Sequence, residues 1–105
     1  MTTVSARIVE ALSPYVTDVF GLMGNGNAHF LDAVDSSDMT FTAVRHEAGA
    51  VATADAYGRV SGRLAVATTT YGAGFTNAIT PLADARQARI PLILVTGEAP
   101  TTGCP

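Results

Sequence analysis

Four short apolar segments, separated by stretches of helical period, leave this chain few folds to choose from. Residues 16–23 carry Val16, Val19, Phe20, Leu22 and Met23, apolar on both faces as a covered parallel strand should be. Strands follow at 39–44, 64–70 and 91–96. The third is β-branched and apolar, and the fourth, Pro-Leu-Ile-Leu-Val-Thr, is the most apolar. Before the first strand, Val4, Ile8, Ala11 and Leu12 recur at helical spacing, with Thr2 or Thr3 as cap and Pro14 as terminator. Further helices are expected at 28–36, with Phe30, Leu31 and Val34 inward, at 47–60, ended by Gly62, and at 75–87. This alternation predicts an α/β fold: an open parallel sheet with helices on both faces and right-handed crossovers. Residues 97–105 leave the fourth strand without a crossover helix to cover it, so 1–105 is expected to be part of a single domain.

Composition narrows the function. A chain of 105 residues, 48% apolar and 14% charged, is a folded domain rather than a disordered segment. The net charge of −3 and six dispersed arginines give no footprint for nucleic acid. Lysine is absent, which excludes a Schiff-base or phosphate-loop lysine within these residues. A lone Cys104 with no base beside it suits a reducing cytoplasm and is not read as a nucleophile. Neither a leader pattern nor an apolar run of about 18 residues is present, so no membrane span is expected.

Three loops follow strands, at 24–27, 45–47 and 71–74. Ligands of open α/β sheets sit at that edge, where glycines let backbone N–H groups approach them. Glu47 stands between these loops, at the start of a helix. The plain reading is an acid stabilised by the helix dipole, by about 0.3–1 kcal/mol. Small residues on most sides of that helix predict burial on several sides and a large neighbour packed closely. Glu47 would then lie at a buried junction, where desolvation favours a held proton or a strong hydrogen bond. Gly24-Asn25-Gly26 with Glu47 about twenty residues on also resembles a dinucleotide fingerprint. His29 occupies its third small position, however, and Arg45 and His46 separate the acid from the strand tip.

Arg45-His46-Glu47-Ala48-Gly49-Ala50, with Ala54-Asp55-Ala56-Tyr57-Gly58-Arg59 and Gly62, resembles the thiamine-diphosphate-dependent enzymes. The similarity is to their amino-terminal pyrimidine-binding domain, in the acetolactate synthase and 2-oxoacid decarboxylase group. Val19-Phe20-Gly21 before the 24–27 loop, the run from Thr70 to Ala78, and the run from Ile90 to Gly97 fall in the family's order. The resemblance implies that Glu47 hydrogen-bonds the cofactor's pyrimidine N1′. This would favour the imino form that takes the proton from thiazolium C2, so that the cofactor can attack a 2-oxoacid.

It further implies a pyrimidine pocket shaped by Gly24, Asn25, Gly26, Asn27, Thr70, Tyr71, Gly72, Gly74 and Asn77. Asn77, at a helix start, is otherwise expected to satisfy backbone. Mg²⁺ and the diphosphate would be held by a domain absent from this chain, in the same or another polypeptide, within a homo-oligomer. The helix after Glu47 would be an interface helix, with Tyr57 and Arg59 at the interface or surface.

Ala48, Tyr71, Ala73 and Gly97-Glu98 differ from the usual acetolactate synthase residues, and Thr70-Tyr71-Gly72 leans towards the decarboxylases. The substrate is therefore left at the class of 2-oxoacids, with decarboxylation and carboligation both open. His46 is read as a neighbour of Glu47, and His29 as facing the cofactor side. Alone, the chain is not expected to be active. The rival reading is a partner-dependent or purely docking module that keeps the fold.

Overall fold

The computed structural model describes residues 2–102. Thr3 opens α1 (Val4–Leu12) by accepting from the Ala6 amide at 3.1 Å, and Pro14 follows its Ser13 C-cap. The chain continues through β1 (Asp18–Gly21), α2 (Ala28–Asp35), β2 (Thr40–Ala43), α3 (Glu47–Ser61) and β3 (Ala65–Thr69). It then forms α4 (Ala73–Thr76), α5 (Ile79–Gln87) and β4 (Leu92–Thr96). The strands lie in the order β2-β1-β3-β4, every pair parallel, with Val19 opposite both Phe41 and Val66.

That order positions the site. From β1 the chain moves out to β2, then strides back over β1 to β3. The loops after β1 and β3 therefore lie side by side at the carboxyl edge, where a parallel sheet opens a crevice.

Successive residues of the central strands serve opposite faces. Val19 and Val66 join Val9, Leu12, Phe30, Leu31, Val34 and Met39 under α1 and α2. Phe20, Ala65 and Ala67 join Ala50, Val51, Ala54 and Ala78 under α3 and α5. Val19, Val34, Val51 and Val66 are fully buried, each stabilising by roughly 1.5–3 kcal/mol. The small residues of α3 let the helix lie close on the sheet: a Cβ at Gly58 would stand 3.6 Å from Ala65 Cβ of β3 and 3.3 Å from Ile90, ahead of β4. Gly62 ends α3 in the left-handed conformation, φ 72°, as its type predicts.

Three expectations change. The single helix at 75–87 is two helices, α4 and α5, because Pro81 has no amide to bond the Asn77 carbonyl and its ring would clash there. The first three strands are shorter at both ends than the apolar runs, and the fourth loses only Pro91, so Val16 is buried ahead of β1 rather than within it. Finally, α3 is buried on one side. Its Ala50, Val51 and Ala54 meet the sheet, whereas Ala52, Thr53, Ala56 and Val60 are exposed. The close neighbour that small residues require is thus the chain's own sheet. No helix among the described residues is long and apolar enough to cross a membrane.

Candidate functional site

The strand tips are stitched together by two side chains. Asn27 is only 1% exposed. Its Oδ1 accepts from the Gly24 amide at 2.8 Å, while Nδ2 donates to the Leu22 carbonyl at 3.1 Å and to Thr68 Oγ1 at 3.0 Å. Thr70 Oγ1 accepts from the Gly26 amide at 2.8 Å, joining the loop after β1 to the end of β3. Thr96 Oγ1 donates to the Thr70 carbonyl at 3.1 Å and brings the β4 tip into the same seam.

The glycines are needed for this closeness. A Cβ at Gly24 would come 2.7 Å from Thr70 Cβ, and one at Gly74 would come 2.7 Å from Thr70 Cγ2. At Gly26 it would lie 2.6 Å from Tyr71 Cδ1, and at Gly97 it would fall on the Gly26 carbonyl. The expected reason for these glycines therefore changes: they let the loops touch one another. The Gly24 and Gly26 amides are spent inside the seam rather than presented to a ligand.

Beside the seam stands Glu47. His46 is extended, φ −152° and ψ 144°, and caps α3 with its ring: Nδ1 accepts from the Ala48 amide at 3.0 Å. An accepting Nδ1 carries no proton, so the ring is the neutral Nε2–H tautomer in this arrangement. Glu47 follows in the first turn, where the helix dipole favours a carboxylate. Its Oε1 accepts from Asn77 Nδ2 at 3.1 Å, a contact across thirty residues of chain. Oε2 has no hydrogen-bond donor among the described residues, and it faces the place of the missing Gly74 Cβ, 3.4 Å away. Glu47 is half-exposed rather than buried, because nothing within the described residues packs over the outer side of α3.

Of the residues predicted for the site, Gly24, Gly26, Thr70, Tyr71, Gly74, Asn77 and Glu47 come together. Asn27 lies beneath them, fully engaged. Asn25 and Gly72 sit at the exposed rim; Gly72 takes φ 69° with nothing within 4 Å of a Cβ built there. Asn77 caps the end of α4, not the start of a helix, and its side chain binds Glu47 rather than backbone.

His29 does not join the cluster. It is exposed on α2 and lines a groove of about 710 Å³ between α1 and α2, under the opposite face of the sheet. Tyr57 is half-buried, its ring 5.4 Å from Phe20 and its hydroxyl 3.0 Å from Thr17 Oγ1. Arg59 holds the buried Asp55 at 2.7 Å. Cys104 lies outside the described residues. Sequence reasoning missed Thr68, Thr96 and the capping role of His46; the run Thr68-Thr69-Thr70 at a strand end was the available signal for the first. Among the described residues no three His, Cys, Asp or Glu side chains gather to hold a metal ion.

A carboxylate with one oxygen fixed and the other facing a glycine gap can accept a hydrogen bond from a flat ring brought against it. The chain matches the family of thiamine pyrophosphate enzymes, N-terminal TPP binding domain, over residues 2–105. It is 39% identical to sulfoacetaldehyde acetyltransferase of Castellaniella defragrans, over 98% of this chain and 17% of that protein. To the mitochondrial acetolactate synthase catalytic subunit of Saccharomyces cerevisiae it is 41% identical, over 83% of this chain and 13% of that one. To acetolactate synthase of Mycobacterium bovis it is 38% identical, over 91% and 16% respectively. The chain belongs to the thiamine pyrophosphate enzyme family, as its N-terminal cofactor-binding domain, and spans about one sixth of the length of the curated relatives it matches.

Proposed function

We propose that this chain supplies the pyrimidine side of a thiamine-diphosphate site for carbon–carbon bond cleavage or formation on 2-oxoacids. The observation that carries the proposal is the Glu47 carboxylate, clamped through Oε1 by Asn77 and open through Oε2 beside Gly74. The residues fit the group: a small gap kept clear by glycine, lined by a carboxylate that can exchange a proton with a ring nitrogen. When bound, thiamine diphosphate supplies an electron sink for the pair left by the broken carbon–carbon bond. Glu47, in its protonated form, would donate a hydrogen bond to N1′, pass that proton reversibly to it and then accept from the resulting N1′–H, polarising the exocyclic amine. The seam of Asn27 and Thr70 would hold the gap at fixed width, since a misplacement of about 1 Å can cost roughly a hundredfold in rate.

The relatives' names divide between acetolactate synthases and sulfoacetaldehyde acetyltransferases. They therefore support two-carbon-unit chemistry at a carbonyl and leave the partner substrate to the rest of the enzyme. A diphosphate-binding domain carrying Mg²⁺ would close over the half-exposed Glu47 from the open side of α3. The desolvation that strengthens an acid's hydrogen bonds would then arise between domains, in a homo-oligomer.

The test is Glu47→Gln in the cofactor-loaded enzyme that contains this chain. Exchange of the cofactor's C2 proton should slow by about 10²–10⁴-fold, the range of a lost acid–base group, with the thermal midpoint nearly unchanged. Exchange at the wild-type rate would overturn the assignment.

A further inference from the structure

We infer that Asn77 is the positioning residue of Glu47: it acts through the carboxylate and does not itself bind the cofactor by its amide nitrogen. The inference rests on the reading of Glu47 given above and adds the device that aims it. Asn77 Nδ2 reaches Glu47 Oε1 at 3.1 Å, and no other side-chain hydrogen bond of Asn77 occurs among the described residues. The two come from separate elements, the first turn of α3 and the end of α4. Their meeting therefore depends on how the helices dock, not on local chain geometry.

A glutamate at a helix start has three side-chain torsions and would otherwise sample several staggered states. One directed N–H donor on Oε1 selects the state in which Oε2 faces Gly74, where a Cβ would stand 3.4 Å away. The donor's chemistry matters as well. An amide is uncharged and gives up no proton in the working range, so it cannot compete with the ring nitrogen for the proton that Glu47 exchanges. A lysine or arginine there would hold Glu47 as a spent ion pair, and an acid would repel it.

The break that Pro81 imposes one turn upstream, at residues 77–78, is part of this device. Asn77 occupies the junction between α4 and α5, with α-region backbone at φ −65° and ψ −18°, and its amide bonds back to the Ala73 carbonyl at 2.9 Å. Its side chain is exposed and makes no contribution to the core clusters. Replacing it should leave the fold intact.

The experiment compares Asn77→Ala, Asn77→Asp and Glu47→Gln in the same enzyme. Asn77→Ala, which deletes a donor to a charged group, should slow C2 proton exchange about ten- to a hundredfold. It should change the apparent affinity for thiamine diphosphate by less than about threefold, since a positioning role falls on the rate rather than on binding. Asn77→Asp is the deciding variant. It keeps size and shape, so a packing role predicts near-wild-type exchange, whereas a donor role predicts exchange slower than in Asn77→Ala.

A second readout needs no cofactor. In the cofactor-free protein one proton of the Asn77 side-chain NH₂ should be shifted from its free-amide position by the bond to Glu47, and Glu47→Ala should return it towards that position. Wild-type exchange in both Asn77 variants, or Asn77→Asp matching wild type, with Glu47→Gln inactive, would overturn the inference and leave the role of Glu47 standing. Wild-type exchange in Glu47→Gln would instead remove the reading on which it rests.

Discussion

Asn27 spends its whole amide inside the protein, on Gly24, Leu22 and Thr68. Substituting Asn27→Ala leaves those groups buried without partners and should cost about 3 kcal/mol, read as a fall in urea midpoint with unchanged slope. Gly74→Ala tests the gap directly. Its new Cβ would press Thr70 Cγ2 at 2.7 Å and crowd Glu47 Oε2 at 3.4 Å. Thiamine diphosphate affinity should fall at least tenfold, while destabilisation stays within the roughly 1–3 kcal/mol of an overpacked site. At this scale Glu47 was legible in the sequence, because its position between a strand tip and an alanine-rich helix is a local pattern. The residue that holds it was not. Asn77 lies thirty residues away, and only the broken helix turns its side chain toward α3. Asn27 was legible as a loop residue but was read as facing a ligand, because sequence does not show which way an amide points.

At the scale of elements, α3 carries the argument, and its start and stop are set by different chemistry. Gly62 ends it by adopting φ 72°, an expectation that residue type alone supports. His46 starts it through a ring nitrogen, which residue type does not suggest, since Ser, Thr, Asp and Asn are the usual caps. His46→Ala should lower stability by about 1 kcal/mol, and His46→Asp should restore most of the loss because a carboxylate oxygen also accepts from the Ala48 amide. Equilibrium unfolding of the two variants checks this. The alternation of strands and helices was legible from period and β-branching. Strand ends were not, since pairing stops where neighbouring strands stop and not where apolar residues do. The division between α4 and α5 was legible in principle from Pro81.

For the whole molecule, the parallel α/β architecture was written in the sequence pattern, but the order β2-β1-β3-β4 was not. Nothing local tells a chain that its third strand should stride over its first. That order puts β1 and β3 in the middle, each bonded on both edges, while β2 and β4 are bonded on one edge among the described residues. Native-state hydrogen exchange should therefore be slowest at Val19, Phe20, Val66 and Ala67 and distinctly faster along β2, whose residues Thr40, Thr42 and Ala43 are exposed. Equal protection in β1 and β2 would contradict the order.

The same order brings together the seam in which Thr70 presses on Gly24, Gly26 and Gly74 at once. It also restricts the evolutionary routes open to the chain. A larger residue at any of those glycines collides with Thr70 or Tyr71, so a single step there carries a stability cost that a second change at the colliding residue would relieve. Asn25 and Ala73 stand at the exposed rim of the same edge, outside the seam's hydrogen bonds. Single-step drift at this edge of the sheet runs through those two positions, and a library built to retune the enzyme should begin with them.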